Sequence, residues 1–270
     1  MFIRNVQPNM VEISHKRVEH PVSSVYYNHI HSHCEILLFV SGSANYNIDG
    51  QIFTPSPYDL IFIPAAKYHY LVPTASVPYE NYVIGVEPKM IAREHYEKLF
   101  SPPLMLSVKN DSVLLNYFKL LELYDRLYSE KDFAICAQAL IHELITYCYY
   151  QKNTFSPTNG EKVLIINDII AFIEQNIENP LNADTISSHF LISKSYIQNI
   201  FSTHMHIGLK QYIMQKKIYS AHIDLSRGMT SSDVCEKYKF GDYTNFYRLY
   251  KKTFGVPPSA NKLKGDNKKS

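Results

Sequence analysis

The sequence predicts an α+β multidomain chain: an antiparallel β-barrel or sandwich, then a helical segment, then an all-α C-terminal domain. Three observations predict it. Short β-rich runs broken by turn residues fill the first hundred positions. After residue 111 the apolar spacing changes from two to between three and four. Beyond a polar stretch at 151–160 every recognisable pattern is helical. These changes place domains at 1–110 and 162–264, with a helical segment at 111–150 and a linker at 151–161.

The β-rich runs come first. Residues 35–40 (EILLFV) end at Ser41-Gly42, 44–48 at Asp49-Gly50, and 58–63 at Pro64. Asp49-Gly50 lies between Tyr46-x-Ile48 and Ile52-Phe53, a hairpin signature because both turn positions need a positive φ. No helix is expected among these strands, which implies a small barrel or sandwich. Between 112 and 150, Leu114, Tyr117, Phe118, Leu121 and Tyr124, then Ile135, Ala139, His142, Leu144 and Tyr147, fit two amphipathic helices that break near 128–131. The stretch 151–160 (QKNTFSPTNG) has turn residues and no pattern, as a linker would.

The C-terminal helices are bounded by their own punctuation. Ile166, Ile169, Ile170, Ile173 and Ile177 form one stripe that stops before Asn179-Pro180. Short helices are expected at 183–190 and 231–238, each followed by a break and a second helix, at 194–204 and 243–254. A longer helix at 209–227 lies between the two pairs and ends at Gly228. Ser193 is placed to cap the helix starting at Lys194, and Gly255 with Pro257-Pro258 ends the last one.

Composition narrows the function classes. Of 270 residues, 46% are hydrophobic and 19% charged, which fits a globular chain apart from an expected frayed tail at 264–270. No apolar run approaches the roughly 18 residues of a membrane span, and the start, Met1 to Met10, lacks a signal-peptide stretch, so no membrane partner and a cytoplasmic location are expected. Cys34, Cys136, Cys148 and Cys235 form no CxxC pair, which indicates neither a zinc cluster nor a disulfide framework. Residues 1–160 carry 12 Lys+Arg against 15 Asp+Glu, net −3, whereas 161–270 carry 15 against 10, net +5. The positive half is the one suited to a polyanion.

The repeated short helix, break and second helix is a tandem helix-turn-helix pattern, for which double-stranded DNA is the expected partner. Ser187 and Cys235 supply small side chains where the paired helices approach. Ile186, Ile197, Ile200 and Phe201 fill the first core; Val234, Phe246 and Tyr250 fill the second. Lys194, Ser195, Gln198, Asn199 and Ser202 then face outward on one second helix, and Tyr243, Thr244, Tyr247, Arg248 and Lys251 on the other. Gln, Asn and Arg can contact base edges bidentately, whereas Lys and hydroxyls mostly hold phosphates.

Residues 239–258 (KFGDYTNFYRLYKKTFGVPP) resemble the AraC/XylS family of bacterial regulators, whose pattern has the form GFxDxxxFxRxFKxxxGxxP. Phe240, Asp242, Phe246, Arg248, Lys251, Gly255 and Pro258 match it; Ser193, Tyr196, Phe201 and Tyr212 match in the first unit. The resemblance covers about 166–262. It implies a transcription factor with groove-facing Ser195, Gln198, Asn199, Tyr243, Thr244 and Arg248, a small-molecule effector such as a sugar, a homodimer built on 111–150, and contact with RNA polymerase. It implies no enzyme activity and no cofactor. Lys239 and His206 stand where the family usually has glycine, Ser202 where a basic residue is usual, and Asn261 where an aromatic is expected.

The N-terminal domain carries the run His29-Ile30-His31-Ser32-His33-Cys34-Glu35, whose alternate residues would share one face of a strand, with His69 arriving from a later one. The arrangement resembles a cupin-like barrel. His31, His33, Glu35 and His69 are the expected effector-binding residues, with no metal required. The alternative is a metal-dependent cupin enzyme with a helical appendage, using the same four residues as ligands. Its weakness is that Glu35 follows His33 by two residues, where metal cupins leave a wider gap. No nucleophile elbow is present, and the nine glycines form no phosphate loop.

Overall fold

The computed structural model describes residues 2–4, 10–22, 29–151, 157–158, 161–162 and 164–261. The tail at 264–270 lies outside them, as does much of the stretch 151–161. The chain divides into two compact units, Met1–Lys162 and Val163–Ser270.

The first unit contains β1 (Phe2–Arg4), β2 (Met10–Val18), β3 (Cys34–Ser41), β4 (Ala44–Ile48), β5 (Gln51–Phe53), β6 (Asp59–Ile63), β7 (His69–Pro73), β8 (Tyr79–Val86), α1 (Arg93–Leu99), β9 (Leu104–Ser107), α2 (Ser112–Leu127), α3 (Glu130–Gln151), β10 (Pro157–Thr158) and β11 (Glu161–Lys162). The strands form two antiparallel sheets, in the orders β1-β2-β8-β3-β6-β9-β10 and β11-β5-β4-β7. The expected barrel is thus a pair of facing sheets that stay open. One two-residue strand, β10, stands within the expected linker and another, β11, straddles its end; both are too short to leave a periodic trace.

The hairpin forms as its turn chemistry dictates. Asp49 and Gly50 have φ of 45° and 80°, and Ile48 pairs with Gln51. Between the sheets lie Leu37, Phe39, Tyr46, Phe53, Ile61, Leu71 and Met105. Ile36, Leu38, Leu60 and Phe62, which alternate with them on β3 and β6, are also buried. Their side is packed too: Phe62 meets Phe100, and Tyr82 of the adjacent β8 meets Phe118 of α2. Cover on both faces is why 35–40 reads as a continuous apolar run instead of an alternating one.

Two expectations for this unit need correction. Helix α1 interrupts the strands, where none is expected. On α3, Ile135, Ala139 and His142 are exposed, and the buried stripe is Phe133, Ala137, Leu140, Ile141, Leu144, Ile145 and Cys148. Apolar residues lie on more than one face of this helix, so spacing alone cannot select the covered one.

The second unit is helical: α4 (Leu164–Gln175), α5 (Ala183–Phe190), α6 (Lys194–Met205), α7 (Leu209–Ser226), α8 (Ser231–Lys237) and α9 (Tyr243–Phe254), followed by a 3-10 turn at Pro258–Asn261. Local chemistry fixes their starts. Ser193 accepts from the Tyr196 amide, Thr230 from Asp233 and Asp242 from Asn245, while Asn182 and Thr185 form a reciprocal capping box. Gly255, at φ 74°, ends α9. Ile166, Ile169, Ile170 and Ile173 are buried as the stripe requires, although α4 ends before Ile177. Among the described residues no helix is long and apolar enough to cross a membrane.

Candidate functional site

Helices α6 and α9 are each buried on one side and open on the other. Ile197, Ile200 and Phe201 are buried on α6 and Phe246 and Tyr250 on α9. Ile186 and Val234 of the bracing helices α5 and α8 are wholly buried as well. The close approaches use the expected small residues. Ser187 donates from Oγ to the Ile192 carbonyl at 2.6 Å, and Cys235 packs in the second core.

The opposite sides carry the residues singled out for DNA. Lys194, Ser195, Gln198, Asn199 and Ser202 are exposed on α6; Tyr243, Thr244, Arg248 and Lys251 are exposed on α9, with Tyr247 half-buried. Arg248 donates from Nη2 to Asn245 Oδ1 at 2.7 Å. Asn245 in turn donates through its amide nitrogens to both carboxylate oxygens of the cap Asp242. Lys194 pairs with Asp184 of α5, and Ser202 donates back to the Asn199 carbonyl.

Backbone conformation explains the unusual residues at the turns. Leu191, His206 and Lys239 have φ of 55°, 51° and 53°, in the left-handed region where glycine is easiest to accommodate. Lys239 and His206 stand out in the sequence as departures from glycine; Leu191 carries no such signal.

Several cations of the positive half are structural, which the charge count could not show. Lys216 is buried and bonds Glu174 at 2.7 Å. Lys217, also buried, donates to the carbonyls of Asn179 and Tyr238 at 2.9 and 2.8 Å, and burial lowers its pKa. Lys237 bonds Asp224, which also accepts from the Tyr238 hydroxyl. These bonds tie the C-terminal ends of α4 and α8 to α7. The available sequence clue is the position of Lys217 four residues after Ile213 and four before Ala221, on the core stripe of α7.

In the first unit the histidine run is not a strand. Residues 32–33 bend and β3 begins at Cys34. His29 instead pairs with His69 through two backbone hydrogen bonds of 3.1 and 3.0 Å. The result is a cluster within a cavity of about 310 Å³ that also has Leu37, Tyr46 and Val83 in its wall. His31 Nε2 lies 2.9 Å from Glu35 Oε1, and His69 Nε2 lies 3.3 Å from Glu35 Oε2. His33 stacks on His31 at 3.7 Å, and its Nε2 is 3.9 Å from Glu35. The ligand atoms of His29, His31, Glu35 and His69 all lie within 4.8 Å of one another.

The expected four therefore come together, and His29, part of the run but not one of the four, adds a ligand atom to the group of His31, Glu35 and His69. Burial works to raise the Glu35 pKa, yet the His31 and His69 imidazoles hold it well below the usual carboxylate range. Burial, followed by the charge of His31, lowers the His33 pKa to about 3.

Known proteins match both units. Residues 17–145 match the AraC-like ligand binding domain, and 186–262 match a helix-turn-helix domain. The HTH-type transcriptional activator AarP of Providencia stuartii is 30% identical over 100 residues, covering 37% of this chain and 74% of that protein. The regulatory protein SoxS of Escherichia coli K12 is 31% identical over 96 residues, covering 35% of this chain and 90% of SoxS. The chain belongs to the AraC family.

This AraC-family protein is a DNA-binding transcriptional regulator that joins an effector-responsive ligand-binding domain to a helix-turn-helix domain. A crystal structure of an apo variant of ToxT from Vibrio cholerae aligns with a TM-score of 0.40 at 12% identity, covering 95% of this regulator and 98% of ToxT.

Proposed function

We propose that the regulator reads DNA with α6 and α9 entering successive major grooves. Gln198, Asn199 and Arg248 are assigned to base edges; Lys194, Ser195, Ser202, Tyr243, Thr244, Tyr247 and Lys251 are assigned mainly to phosphates. The observation that carries this reading is the exposure of nine of these ten residues on two capped helices whose opposite sides are core. Ser202, without a positive charge, makes the first unit the weaker grip.

The N-terminal pocket is assigned the effector, met by His31, His33, Glu35 and His69, and its occupancy biases how the two DNA-reading helices are presented. A homodimer through the α2–α3 segment is supported by exposed Val113, Leu123, Leu127 and Ile135. The working domain boundaries are 1–110, 111–150, 151–161 and 162–264. The protein acts in the cytoplasm, is not an enzyme, and works with RNA polymerase as an activator, the role stated in the name of its relative AarP.

A mobility-shift series on the DNA upstream of its own gene tests this reading. The wild-type chain is expected to bind one site in the presence of excess nonspecific DNA, and Arg248→Ala to lose that selectivity. Undiminished selective binding by Arg248→Ala removes Arg248 from the mechanism.

A further inference from the structure

The hydrogen bonds around the histidine cluster fix which nitrogens face inward. His31 Nδ1 lies 2.8 Å from the His33 carbonyl, and His69 Nδ1 lies 2.9 Å from the Lys67 carbonyl. A carbonyl only accepts, so each Nδ1 carries the proton, and each Nε2 can present a lone pair to Glu35. Lone pair against carboxylate is repulsive unless a cation stands between them. The His69 Nε2 is buried and lies 3.3 Å from Glu35 Oε2, an approach that either a proton or a metal ion between the two atoms satisfies. The outer hydrogen bond from Nδ1–H to a carbonyl is how proteins orient metal-binding imidazoles.

The shortest separations fit a shared ion, and the widest, up to 4.8 Å, has to close to about 4.1 Å or less, twice the bond length, when one binds. Bonds of about 2.0–2.1 Å place neighbouring ligand atoms roughly 2.9 Å apart at right angles and about 3.3 Å apart in a tetrahedron. The two Nε2–carboxylate separations here are 2.9 and 3.3 Å. His29, held by its backbone pairing to His69, brings a third imidazole within the same 4.8 Å cluster. Three imidazoles and one carboxylate suit a divalent transition-metal ion such as zinc or cobalt and do not suit calcium or magnesium.

We infer that His29, His31, Glu35 and His69 bind one divalent transition-metal ion in the effector pocket. His33 is not a ligand; it braces His31 by stacking, and Gly85 leaves room for it, since a Cβ there would lie 3.0 Å from His33 Cδ2. That the ion acts as a signal rests on the proposed coupling of this pocket to DNA binding, whereas the metal site rests on the geometry alone.

The test uses the full chain, stripped with chelator and titrated with zinc by calorimetry and with cobalt by visible absorption. One equivalent per chain is expected. His31→Ala and His69→Ala should weaken binding by at least about 100-fold and His29→Ala by about tenfold, taking the effect of an outer-sphere partner as the lower bound. His33→Ala should keep the stoichiometry. His29 is exposed, so its variant tests the site without disturbing the core, and melts of the metal-free variants identify any that fail to fold. Absence of saturable uptake, or equal uptake by folded His29→Ala and His69→Ala, overturns the site. DNA affinity of stripped and zinc-loaded protein is measured in parallel: a zinc-dependent change lost in His69→Ala supports the coupling, and saturable zinc binding without such a change overturns the coupling alone.

Discussion

Arg248 is held by Asn245, one turn earlier on α9, through a 2.7 Å hydrogen bond from Nη2 to Oδ1. Asn245 is itself fixed by the cap Asp242, so the guanidinium is oriented before it meets DNA. Ordering a long side chain in advance removes part of the entropy cost of binding.

Removing the guanidinium should cost about 1–3 kcal/mol of discrimination at one base pair. Asn245→Ala should cost less and should add little once Arg248 is already alanine. A double-mutant cycle of binding affinities checks this coupling; strictly additive losses would mean that Asn245 does not act through Arg248.

The lysines of the second unit should separate by role. Lys194→Ala and Lys251→Ala should each lower the salt slope of DNA binding by about one. Lys217→Met should leave that slope alone and instead destabilise the unit by about 1–3 kcal/mol, because two carbonyls lose their buried donor. Salt titrations and urea unfolding read the two effects independently.

Lys239 occupies the left-handed region at φ 53° and is exposed. A non-glycine residue there costs roughly 1–2 kcal/mol, partly offset by the greater chain entropy that glycine loses on folding. Lys239→Gly should therefore raise stability by about 0.5–1 kcal/mol, visible as a higher melting temperature. An unchanged or lower value would show that the lysine side chain contributes more than its backbone costs.

His222 packs on Phe254 and meets the Tyr250 hydroxyl at 2.6 Å, and burial lowers its pKa from 6.5 to about 4. The fold therefore favours the neutral ring. Its stabilising contribution is complete above about pH 6.5 and is lost as pH falls toward 4. Unfolding midpoints of His222→Gln should vary less over this interval than those of the wild type.

The C-terminal helices were legible because their ends carry their own chemistry: Ser193 and Asp242 cap, Gly255 terminates, and Pro180 forbids continuation. The hairpin at Asp49-Gly50 was legible for the same reason. What escaped depends on contacts between distant residues. His29 joins the cluster only because its backbone pairs with His69, forty positions away, and reading 29–35 as a strand hides that. Lys217 looks like surface charge until the carbonyls of Asn179 and Tyr238 converge on it. On α3, the choice between Ile135 and Phe133 as the buried residue rests on which face meets the rest of the unit, and periodicity does not contain that information.

Base-protection mapping of the full chain on its upstream DNA tests most directly whether two helices read the duplex together. Two patches of major-groove protection about ten base pairs apart on one face are predicted, with Arg248→Ala losing one and Gln198→Ala weakening the other. A single patch that both substitutions weaken alike, or protection confined to the minor groove, would contradict the account.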